Sequence, residues 1–88
     1  MTAREACTEW VRILRAVAAG QMSPSEALVR RPEVDDDRSV PDAFWSARNK
    51  LESEVEHGAH ELPEAAAYFA SEVQKLADRI ERQMTSKP

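Results

Sequence analysis

The chain has 88 residues, of which 42 % are hydrophobic, and a formal net charge of −4. Fourteen of the apolar residues are alanine, so one small domain with a thin core is expected rather than an enzyme-sized pocket walled by successive layers of side chains. The acidic balance disfavours direct nucleic-acid binding, no run approaches the roughly 20 apolar residues that span a bilayer, and a single cysteine forms no intramolecular disulfide.

The first predicted helix runs from about Thr2 to Ala19. Thr2 and Glu5 have the Thr-x-x-Glu spacing of a capping box. Ala3, Cys7, Trp10, Leu14 and Val17, flanked by Val11 and Ala18, form one apolar stripe, and Gly20 supplies a left-handed stop. Ser23-Pro24-Ser25-Glu26 then combines an N-cap serine, a proline at the first helical position and a glutamate at the third. Ala27, Leu28 and Val29 are expected to face inward on this short second helix, which Pro32 ends near Arg30.

Residues 32–40 read as an acidic loop. Ser39-Val40-Pro41-Asp42 opens a third helix that runs to about His57, with Phe44, Ala47, Leu51 and Val55 on the apolar face and Gly58 as its stop. The fourth helix starts near Pro63 and runs to about Met84. Leu62, Ala66, Phe69, Val73, Leu76 and Ile80 give it a heptad-like seam. No segment carries the alternation and turn residues of a strand. The expectation is an all-α protein, a small antiparallel four-helix bundle of three longer helices and one short. It forms a single domain over residues 1–84, and 85–88 are a frayed tail.

Charge is distributed unevenly. Residues 33–64 hold ten acids and three bases, whereas the segments before and after them are close to neutral. Asp35, Asp36 and Asp37 fall in the loop. On the third helix, Glu52 and Glu56 are one turn apart, on the same flank as Trp45 and Asn49. A large aromatic beside a row of carboxylates suits a protein interface: the ring supplies contact area, and the charge steers a basic partner. The blander assignment has the acids merely solvated and Trp45 sealing the core edge.

Other constellations are less complete. Glu54-x-x-His57, followed by His60 and Glu61, has the Glu-x-x-His spacing that makes up half of a di-iron carboxylate site. It lacks a second Glu-x-x-His, and Glu54 falls about 80° off the apolar stripe. Cys7 lies within the first apolar stripe, where a thiol is an inert small hydrophobe rather than a nucleophile. Arg12, Arg15, Arg30 and Arg31 make at most a small basic spot. No catalytic residue, metal ligand or cofactor is assigned.

The stretch from Ile13 to Leu28, Ile-Leu-Arg-Ala-Val-Ala-Ala-Gly-Gln-Met-Ser-Pro-Ser-Glu-Ala-Leu, resembles the first helical hairpin of colicin D-type immunity proteins. That resemblance implies a small acidic four-helix bundle that binds a tRNA-cleaving toxin domain and shields its active site with negative charge in place of RNA phosphate. It carries over no contact residue. The candidate interface, Asp35, Asp36, Asp37, Trp45, Asn49, Glu52 and Glu56, comes from the charge map alone.

The expected function is therefore inhibitory binding of a basic protein, such as a nuclease toxin, or nucleic-acid mimicry of the same physical kind. The protein would be cytoplasmic and bacterial, with no chemistry of its own, no direct nucleic-acid partner and no membrane partner. The alternative is a non-catalytic helical adaptor or homodimer that pairs through the seam of the fourth helix.

Overall fold

The computed structural model describes residues 2–34, 38, 40–58 and 63–85. Among the described residues four helices follow one another: α1 (Ala3–Ala18), α2 (Pro24–Val29), α3 (Asp42–His57) and α4 (Pro63–Thr85). Among the described residues there is no strand. The protein is all-α, with the expected three longer helices and one short.

The helix ends follow from local chemistry. The Thr2 hydroxyl accepts from the Glu5 N–H at 3.2 Å, and the Thr2 N–H donates to the Glu5 carboxylate at 3.3 Å, closing the capping box. Ser23 caps α2 by accepting from the Glu26 N–H at 3.1 Å, with Pro24 in the first turn. Gly20 (φ +77°) and Gly58 (φ +64°) take left-handed conformations where α1 and α3 stop. α4 extends through Thr85, one residue past the expected domain edge.

α1 and α4 form the most extensive helix pair and run antiparallel. Arg4, Cys7, Thr8 and Val11 near the start of α1 share a cleft with Glu81 and Met84 near the end of α4. Val17 and Ala18, at the other end of α1, share one with Ala66, Phe69 and Ala70 near the start of α4. Arg15, in the last turn of α1, ties the pair together by donating through Nη2 to Asp78 at 3.2 Å and to Glu81 at 3.1 Å. α3 packs against both α2 and α4. Trp10, fully buried on α1, meets α3 by donating its indole N–H to the Phe44 carbonyl at 3.2 Å, with the two rings 5.9 Å apart.

The core comprises Ala6, Cys7, Trp10, Val11, Ile13, Leu14 and Val17 of α1, Ala27 of α2, and Val40. From α3 and α4 come Ala43, Phe44, Ala47, Leu51, Phe69, Val73, Ala77 and Ile80. On α1 the buried arc is wider than the expected stripe, taking in Ala6 and Ile13, because this helix has neighbours on more than one side. Val29 does not face inward. It is 86 % exposed, because the short α2 buries only Ala27 fully and Leu28 in part.

α3 also departs from its expected register. Ala43 is buried together with Phe44, which turns the buried arc toward Glu54 and away from Val55. Glu54 is therefore a core-side residue at 9 % exposure, while Val55 is 43 % exposed.

Candidate functional site

α3 runs uninterrupted from Asp42 to His57, so its register fixes which residues share a row. Trp45, Asn49, Glu52 and Glu56 are spaced four, three and four residues apart and fall within a ~60° arc. The row is about 16 Å long and is centred about 160° from the buried arc, at the solvent side of the helix. Asn49, Glu52 and Glu56 are exposed, and Trp45 is half-buried. Four of the seven residues of the expected interface are thus brought onto one face. The other three, Asp35, Asp36 and Asp37, lie outside the described residues.

Trp45 differs from the rest of its row because the chain leaving α2 passes over it. Its ring meets Phe44 edge-on, with centroids 5.0 Å apart. The Arg31 guanidinium stands 5.9 Å from its centroid. Arg31, Pro32, Glu33, Val34 and Trp45 together line a cleft of about 220 Å³. Trp45 seals the core edge with one side of its ring and presents another side to this cleft. Sealing and presentation are both features of this one side chain.

Glu52 pairs with Arg48 at 2.8 Å along the helix, a partly exposed pair of small energetic weight. Glu56 has no ion pair among the described residues. Lys50, off this row, stands 5.4 Å from the ring centroid of Tyr68 on α4. The α3 row therefore keeps a negative bias at its C-terminal end and carries an aromatic at its N-terminal end.

The arginines of the basic spot do not converge. Arg12 is paired with Glu9, Arg15 with Asp78 and Glu81, Arg30 with Glu26 at 3.9 Å, and Arg31 faces Trp45. Mutual pairing holds the Glu9 carboxyl below the usual carboxylate range and raises the Arg12 guanidinium.

Among the described residues no group of three or more His, Cys, Asp or Glu side chains could hold a metal ion. His60 and Glu61, which the Glu54–His57 spacing would need, lie outside them. Cys7 is 1 % exposed, and burial pushes its thiol up, away from the reactive thiolate. Among the described residues no helix is long and apolar enough to cross a membrane.

The α4 seam is used within the chain. Phe69, Val73, Ala77 and Ile80 are buried, and Ala66 and Leu76 are half-buried. Leu62 lies outside the described residues. A second copy could reach the buried part of this seam only by opening the bundle.

Arg31 is the contributor that periodicity missed. It is 14 positions from Trp45, and nothing in the spacing pairs them. The available signal was Pro32, which stops α2 and sends the chain back across α3. Comparison with known proteins finds no matching family model, no matching curated protein and no matching solved structure.

Proposed function

We propose that this chain is an inhibitory binding protein that docks the outer face of α3 against a basic protein, in the manner of an immunity protein toward a nuclease toxin. The observation that carries this reading is the single row of Trp45, Asn49, Glu52 and Glu56 on one face of α3, with its three polar members exposed and Trp45 half-buried at the core edge. An aromatic at one end offers contact area, and carboxylates at the other offer a field that accelerates encounter with a basic surface. The acidic excess of residues 33–64 and the resemblance of the α1–α2 hairpin to colicin D-type immunity proteins support it. On this reading the protein inhibits by occupying its partner's surface and performs no reaction.

The test is a pull-down from the native lysate, followed by assay of the recovered basic protein for nuclease activity with and without this chain. Equimolar addition should inhibit that activity. The association rate should fall as salt rises. Charge reversal at Glu52→Lys and Glu56→Lys should slow association about tenfold at low salt, within the range that electrostatic steering commands. A partner bound equally well by the reversed protein at all salt concentrations would overturn the reading and favour an adaptor.

A further inference from the structure

The cleft between the end of α2 and the start of α3 already displays the chemistry it accepts. Trp45 forms one wall, and Pro32 and Val34, buried and half-buried, form apolar sides. Glu33 is exposed at the rim. The cleft's cation is the chain's own Arg31, whose guanidinium stands 5.9 Å from the Trp45 centroid. Among the described residues no carboxylate pairs with Arg31, so the ring is the partner that the structure gives it.

An indole face attracts cations through its quadrupole, and a planar, weakly hydrated guanidinium stacks there better than an ammonium. The Trp45 ring is braced by Phe44, which lowers the cost of ordering it when a ligand arrives.

We propose that this cleft reads an arginine side chain of the basic partner, and that Arg31 is a tethered stand-in which the incoming guanidinium displaces. The incoming group stacks on Trp45 and takes Glu33 as its counter-charge, while Arg31 swings into solvent. This rests on the function proposed above, because Trp45 is the first member of the row that continues through Asn49, Glu52 and Glu56. It adds what exposed carboxylates lack, a means of choosing arginine over lysine.

The experiment is an NMR titration of the 15N-labelled full chain, at fixed ionic strength, with N-acetyl-arginine amide and with its neutral isostere, N-acetyl-citrulline amide. The Trp45 indole N–H resonance is the reporter. The buried Trp10 indole N–H, bonded to the Phe44 carbonyl, is the internal reference. Trp45 should shift saturably with the arginine compound and not with citrulline. Arg31→Ala removes the tethered competitor and should tighten binding about two- to fivefold, the worth of one exposed cation–π contact. Glu33→Gln, at an exposed site, should weaken it about twofold. An equal response to citrulline, or no tightening in either Arg31→Ala or Arg31→Gln, overturns the proposal. No partner protein enters the titration, so its failure leaves charge-driven docking standing, and failure of the pull-down leaves this result standing.

Discussion

Replacing Trp10 with phenylalanine should cost the protein a large part of its stability. Trp10 is fully buried on α1, and its indole N–H donates to a carbonyl of α3 at 3.2 Å. Phenylalanine keeps a ring in the same direction but deletes that donor. A net hydrogen bond is worth about 1 kcal/mol, and the carbonyl keeps its place in the α3 backbone, so no further orphan penalty is added. The smaller ring forfeits about 1 kcal/mol of apolar transfer. It also leaves a void of about 40 Å³, worth roughly 1 kcal/mol if the site does not collapse. The expected loss is 2–3 kcal/mol, roughly 10–15 °C in a domain of this size. Urea and thermal unfolding followed by far-UV circular dichroism measure it directly. A loss below about 1 kcal/mol would refute the idea that this indole ties α3 to α1. On the proposed function, the α3 row should still bind at temperatures where the variant remains folded, because Trp10 meets α3 at Phe44, which is not a member of that row.

Further outcomes follow from the capping box and the buried thiol of α1. The capping box holds the Glu5 carboxyl below its usual range, chiefly through its hydrogen bonds with Thr2. Its contribution is therefore present above the ordinary carboxylate pKa and is lost as pH falls through the lowered value. Glu5→Gln should flatten the acid limb of a stability–pH profile, and Thr2→Ala should cost about 1 kcal/mol near neutrality. Cys7 should react with a thiol reagent only at the rate of local or global opening, so its labelling should accelerate with urea. Rapid labelling of the native protein would mean that the start of α1 and the end of α4 separate in solution.

Helix existence was legible because start and stop signals coincided with the periodicity. Thr2 with Glu5, Ser23 with Pro24, and the two glycines each mark an end that the structure confirms by hydrogen bonds or a positive φ. Facing was less legible where a helix is short or has several neighbours. Val29 looked like a core residue by type, but a six-residue helix has only about one and a half turns to place against a neighbour. Glu54 and Val55 exchanged roles because the tertiary neighbours of α3 set the centre of its buried arc, and a single helix carries no record of them. The row Trp45–Asn49–Glu52–Glu56 was readable, since it depends only on register within one unbroken helix. Arg31 over Trp45 was not, because a loop crossing depends on how α2 lies against α3.

The covering of Trp45 by residues 31–34 divides the α3 row into two physically distinct ends. At the acidic end, Glu52 and Glu56 stand in solvent, where charge acts over about a Debye length and is screened by salt. At the aromatic end, Trp45 is braced and half-buried, where contact acts only after docking and salt matters little. On the proposed function the two ends govern different rates: the carboxylates set how fast the partner arrives, and the ring sets how slowly it leaves. Altering Glu52 and Glu56 should then change mainly the association rate and its salt dependence, whereas filling or emptying the Trp45 cleft should change mainly dissociation. A partner whose two rates responded together to both sets of substitutions would be contacting a single undivided patch, contrary to the division seen along α3.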